Sequence, residues 1–319
     1  MPTRRGSFHL FKLFGIDVYL HWSWFLVAII ELQIRRGLYS SITWNILEYL
    51  TLFLIVLTHE FGHSLACRSV GGQANQIVLW PLGGVAYVSP PQRPGAVLWS
   101  IVAGPLVNVV LVPILSLLWW YASSAGWEET VSDVYVYIVT IWKINLLLLA
   151  FNILPIYPLD GGKILYALLW FIVGQARGLM AACIIGFIGV GGLLVLTIWL
   201  FTISPRSAIW YTAICIFILL NCYQGFKSAR ELLRIAKAPR REGFHCPECK
   251  AVPPSGDLWL CGKCRKKFDT FASQGTCPHC GTAYARTACS ECGAAHPITE
   301  WMDTPPAPPP LPAASPPPA

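Results

Sequence analysis

Charge is scarce in this sequence. Asp, Glu, Lys and Arg make up only 12% of its 319 residues, about half the ~25% usual in soluble domains. That shortage excludes a water-soluble globular fold for most of the chain. Acidic residues are the rarer sign, 16 against 23 basic, for a net charge of +7. The basic residues lie largely between and after apolar runs, where they set membrane topology, so nucleic acid is not an expected partner. The first apolar run lacks a small-residue cleavage site, and it is expected to remain as a transmembrane helix.

What the chain has instead is apolar length. It is 55% hydrophobic, with a mean hydropathy of +0.54. Crossing a bilayer takes about 20 apolar residues. Runs at 18–33, 44–67, 96–121, 131–155, 179–203 and 208–223 are expected to cross. The run 164–173 is too short and suggests an interfacial helix. With the N-terminus inside, the inner loops hold Arg4, Arg5, Lys12, Arg68, Arg93, Lys163, Arg177 and a basic cluster from Lys227 to Arg241. The outer loops hold Arg35, Arg36 and Arg206, and 124–133 carries acids but no base. Both termini are therefore expected in the cytoplasm, with the chain in a cell membrane.

The second run carries His59-Glu60-Phe61-Gly62-His63. Residues four apart share one face of a helix, so His59 and His63 can grip one zinc ion. Glu60 between them can take a proton from a water held there. Two histidines satisfied by backbone carbonyls are the plainer reading of the pair. A third ligand is needed. The soluble pattern H-E-x-x-H-x-x-G-x-x-H would need Gly at 66 and His at 69, but Ala66 and Ser69 stand there. Ionisable residues in membrane segments are costly and few; His21, Lys143 and Asp160 stand out. Asp160 closes a run in which Pro155 and Pro158 break the fourth helix and Gly161-Gly162 allow a tight turn. It is placed to aim a carboxylate at the depth of the two histidines, or to cap the short helix after it. His21 is expected to bond a helix carbonyl or to sit behind the metal ligands. Lys143, mid-way along the fourth run, can snorkel or pair with a carboxylate. Two β-rich runs flank a Pro/Gly turn at 76–88 and suggest a hairpin, which must lie at the interface or line a cavity. Its edge can take an extended peptide by strand addition.

These residues carry a resemblance. HEFGH in an apolar helix, WPLGGVAYV at 80–88, AGPLVN at 103–108, NILPIYPLDGG at 152–162 and the opening GIDVYLHW at 15–22 are together similar to the site-2 protease family of intramembrane zinc metalloproteases. The resemblance implies a mainly α, polytopic membrane fold of about six transmembrane helices with a small interfacial β-hairpin. It implies His59, His63 and Asp160 as zinc ligands, Glu60 as general base, and hydrolysis within or near a transmembrane segment of a protein substrate. Asn152 matches the family's Asn before the Asp-Gly element and is a candidate for holding the substrate backbone or the oxyanion. A capping Asn freed by Pro155 is its other reading.

From Gly243 the composition changes. Cys246/Cys249, Cys261/Cys264, Cys277/Cys280 and Cys289/Cys292 form four C-x-x-C knuckles. Two knuckles make a four-cysteine zinc site, and sequential pairing gives two zinc ribbons resembling a double zinc ribbon. A cytoplasmic setting disfavours disulfides. The expected cofactors are one catalytic and two structural zinc ions. The expected organisation is a membrane metalloprotease domain at 1–228, a basic helical linker at 229–243, ribbons at 244–302 and a disordered Pro-rich tail at 303–319. The ribbons suit a cytoplasmic protein partner. The rival reading is a catalytically silent membrane scaffold that binds such a partner through them.

Overall fold

The computed structural model describes residues 6–35, 37–80, 83–203 and 205–303; the expected disordered tail, apart from Asp303, lies outside them. The chain divides into two compact units, 1–232 and 233–319.

The first unit opens with strands β1 (Ser7–Leu13) and β2 (Ile16–His21), then helices α1 (Ser23–Ile34) and α2 (Ile42–Ser69). Strands β3 (Gln73–Trp80) and β4 (Gly83–Ser89) follow, then α3 (Pro94–Ser124), the single turn α4 (Trp127–Thr130), α5 (Ser132–Ile153), α6 (Asp160–Val173), α7 (Gln175–Ile203) and α8 (Pro205–Lys237). Among the described residues, α2, α3, α5 and α7 are long and apolar enough to cross a membrane. The first expected span is divided instead. Residues 16–21 form a strand, and α1 has only 12 residues. The sixth expected span falls in the first half of α8, partly outside the residues whose side chains are described.

The expected hairpin is half of a four-stranded sheet in the order β1-β2-β3-β4. Its outer pairs are antiparallel, while β2 and β3 run parallel with Val18 beside Ile77. A parallel pair needs a long crossover, which α1 and α2 supply. Ile16, Val18, Ile77 and Leu79 pack with Leu57 and Phe61 of α2. That contact sets the sheet against the end of α2 that bears the H-E-x-x-H motif.

Helices inside a bilayer gain little from the hydrophobic effect, so small residues that let backbones approach matter more. A methyl group on Gly62 would meet the Ala103 carbonyl of α3 at 2.6 Å. One on Gly104 would overlap the His63 imidazole. Gly161 and Gly162 were expected to allow a turn. They lie in the first turn of α6 instead, pressed on the backbone of 153–157, where a side chain has no room.

The second unit holds two small antiparallel pairs, β5 (Trp259–Leu260) with β6 (Lys267–Phe268) and β7 (Thr287–Ala288) with β8 (Ala295–His296). Phe271 and Trp301 are buried with Cys246 and Cys289, and Phe268 with Cys261 and Cys277. The cysteines themselves form much of these small cores.

Candidate metal centres

His59 and His63 project from one face of α2, and Asp160 is the first residue of α6. All three are buried. Asp160 Oδ2 lies 3.0 Å from His59 Nε2 and 3.1 Å from His63 Nε2, and the two Nε2 atoms are 3.1 Å apart. Asp160 is not an N-cap: that position is Leu159, with no side-chain cap. Its other oxygen, Oδ1, lies 3.4 Å from Lys163 Nζ.

The outer nitrogens decide the chemistry of this cluster. His63 Nδ1 lies 2.9 Å from the Ser100 carbonyl, and His59 Nδ1 lies 2.7 Å from Asn108 Oδ1. Both partners are acceptors, so each Nδ1 carries the proton and each neutral ring turns a lone pair inward from Nε2. Two nitrogen lone pairs and a carboxylate oxygen then face one another at about hydrogen-bond distance with no proton between them. A cation relieves that repulsion. Zinc bonds of about 2.0–2.1 Å place tetrahedral ligand atoms about 3.3 Å apart, close to the observed edges. The donor set fits zinc.

Asn108 is held in turn by Asn145. Its Nδ2 donates to Asn145 Oδ1 at 2.9 Å, and Asn145 Nδ2 donates to the Asn108 carbonyl at 3.1 Å. Both are fully buried. Outer-shell partners of this kind fix a ligand's tautomer and ring angle. Sequence reasoning missed the pair, although a buried Asn on each of two apolar helices is an available signal. Asn152 was expected near the chemistry. It is half-buried near the end of α5, makes no hydrogen bond to the three donors and does not line the cavity beside them.

That cavity has a volume of about 280 Å³ and is lined by Glu60, His63, Asp160 and Lys163 together with Ala86 and Val88 of β4. Glu60 Oε2 accepts from the Ala86 N–H at 3.0 Å. β4 is the last strand of the sheet, so this bond lies on its unpaired edge. His21 meets neither expectation: its ring stacks on Trp80 at 3.8 Å and its Nδ1 bonds Ser23 Oγ.

A profile of peptidase family M50 matches residues 48–196, which hold the two histidines, Glu60 and Asp160. This stretch of the chain is similar to peptidase family M50. The zinc metalloprotease MJ0392 of Methanocaldococcus jannaschii is 35% identical over 182 residues, 56% of this chain and 50% of that one. Stage IV sporulation protein FB of Bacillus subtilis is 32% identical over 133 residues, 40% of this chain and 42% of that one. The site-2 protease from Methanocaldococcus jannaschii, a solved structure, is 25% identical and superimposes with a TM-score of 0.48 over 69% of this chain and 95% of that one. The chain spans about half the length of the relatives it matches. The M50 match stops short of the cysteine knuckles.

The knuckles pair differently from the expectation. Cys246 and Cys249 converge with Cys289 and Cys292, and Cys261 and Cys264 with Cys277 and Cys280. The pairing is nested, first with last and second with third. Sequential proximity misled because each knuckle closes on itself. In all four, the first Cys N–H donates to the carbonyl five residues on, and the residue four on adopts positive φ. Glycine fills that place at 281 and 293, Lys250 and Arg265 at the others. Partner choice is then left to how the knuckles assemble. Four sulfur–sulfur contacts between paired knuckles, Cys246–Cys292, Cys249–Cys289, Cys261–Cys280 and Cys264–Cys277, run from 3.5 to 3.8 Å, and all ligand sulfurs of a cluster lie within 4.8 Å of one another. Tetrahedral Zn–S bonds of about 2.3 Å require about 3.8 Å, so both clusters fit zinc.

Tyr284 stands behind the inner cluster. Its hydroxyl lies 3.1 Å from Cys261 Sγ and accepts from the Gly262 N–H at 2.7 Å. The Cys264 backbone N–H and the Tyr284 hydroxyl together bring the Cys261 thiol down to about 5. In the outer cluster, burial pushes Cys292 up to about 12.

Proposed function

We propose that this chain is an intramembrane zinc metalloendopeptidase that hydrolyses peptide bonds in or near transmembrane segments of membrane proteins. The observation that carries this reading is the inward convergence of His59 Nε2, His63 Nε2 and Asp160 Oδ2, with Glu60 lining the cavity beside them. His59, His63 and Asp160 would hold the metal. Zinc, when bound, supplies Lewis acidity toward water and the scissile carbonyl. Glu60 takes the proton of the attacking water and returns it to the leaving amine.

A helix hides its carbonyls in its own hydrogen bonds, so the substrate must unwind before it is cut. The unpaired edge of β4 offers the unwound segment backbone partners. Asn152, whose amide has no partner among the described residues, is proposed to hold the substrate backbone or the oxyanion. In this reading both termini face the cytoplasm, where the two four-cysteine clusters bind structural zinc and contact a regulatory or substrate-presenting protein. Cleavage follows a first cut made elsewhere.

The test is cleavage of a panel of transmembrane substrates by the reconstituted protein and by Glu60→Gln. Wild-type cleavage with a loss of about 100-fold or more in the variant is expected, as for removal of a general base. Equal rates, or no cleavage by either with zinc bound, would sink the reading.

A further inference from the structure

Lys143 is a charge with no use in the metal centre. It lies in the middle of α5, about 16 Å along the axis from Ser132 and about 15 Å from Ile153 at 1.5 Å per residue. Its side chain is exposed, on the same outward face as Leu147 and Ala150. No hydrogen bond or ion pair engages it among the described residues. None of the residues outside that description has a carboxylate side chain.

A lysine half-way through a spanning helix is far from both membrane surfaces, and its stem is much shorter than the distance to either. Exposed to hydrocarbon, its charge is costly. A carboxylate brought to it at mid-depth relieves that cost. A second copy of this chain has none free. The carboxylates of the four spanning helices are Glu48, Glu60 and Asp133. Glu48 is buried against Arg35 at 3.0 Å and Tyr39. Glu60 holds the Ala86 N–H, and Asp133 bonds Ser40.

We propose that the Lys143 face of α5 docks a transmembrane helix of another protein that carries an Asp or Glu at its midpoint. Lys143 and that carboxylate pair inside the bilayer, and Leu147 and Ala150 pack beside them. The site needs only that α5 spans the membrane. It stands or falls separately from proteolysis.

The test uses the full-length protein in phosphatidylcholine vesicles at pH 8. Dansyl-labelled, Trp-free synthetic helices with a central Asp or Leu in a poly-leucine span are titrated, and energy transfer from the protein's tryptophans is read. The Asp helix is expected to bind about 10-fold more tightly than the Leu helix, the size of an interhelical polar contact. Lys143→Met should remove that difference, and Lys143→Asp should bring a preference for a central-Lys helix. A Leu196→Met control, at an exposed position on α7, keeps the wild-type pattern. Equal binding of the two helices by wild type, or an Asp preference that survives in Lys143→Met, would overturn the proposal. So would loss of the preference when phosphatidylglycerol replaces part of the neutral lipid, because Lys143 would then be reading lipid phosphate.

Discussion

Asn108 on α3 accepts a hydrogen bond from His59 on α2 at 2.7 Å, and so fixes which nitrogen of that ring faces inward. A histidine free to change tautomer or rotate presents its lone pair only part of the time. Asn108→Leu should therefore lower zinc affinity by about 10–100-fold, the usual effect of removing such a partner. Zinc competition titration of the purified protein checks this. Asn145→Leu should give a smaller loss, because it acts through Asn108. Unchanged affinity in Asn108→Leu would mean that α2 alone orients the ring.

Gly104 lies where any Cβ would overlap the imidazole of His63. Gly104→Ala should displace the ring and reduce bound zinc below one equivalent at the membrane centre. Gly191, whose Cβ would meet nothing nearby, is the matched control. Metal analysis of a variant whose ribbon cysteines are replaced reads the membrane centre alone.

Nested pairing of the knuckles makes an either-or prediction. Cys246 and Cys289 belong to one cluster, Cys246 and Cys261 to different ones. Replacing Cys246 and Cys289 by serine should leave one intact four-cysteine site, while replacing Cys246 and Cys261 should leave none. Sequential pairing predicts the reverse. Cobalt substitution, with its thiolate charge-transfer band, distinguishes the two.

In the reduced, metal-free chain Cys261 should be the most reactive thiol near pH 6–7. Its thiol is lowered to about 5, so it is largely thiolate there. Folding favours this thiolate. The stability it contributes is complete above the unfolded thiol's pKa of about 8.5 and is lost as pH falls through about 5. Tyr284→Phe removes the hydroxyl beside the sulfur, raises the pKa and should slow alkylation of Cys261 at pH 6 while leaving the rate at pH 9 nearly unchanged. Mass-spectrometric alkylation kinetics provide the measurement.

Much of the site was legible because its signals are local. Four residues on a helix place His59 beside His63, and an apolar flank places that helix in a membrane. Asp160 stood out as a carboxylate in a segment nearly bare of them. β1 and β2 were not legible, because a short apolar run reads equally as a strand or as the start of a helix. Residues 16–21 are a strand because β3, more than fifty residues later, supplies the pairing.

The sequence by itself determined the membrane class, the two histidines with their glutamate, and the four cysteine knuckles, since each depends on composition or on spacing within a few residues. Tertiary structure alone decided the rest. It set Asn108 and Asn145 behind the histidines, joined the outer knuckles around the inner ones, and brought the Ala86 N–H to Glu60. Those outcomes depend on which distant backbones approach closely enough to touch, and spacing along a chain does not encode that distance.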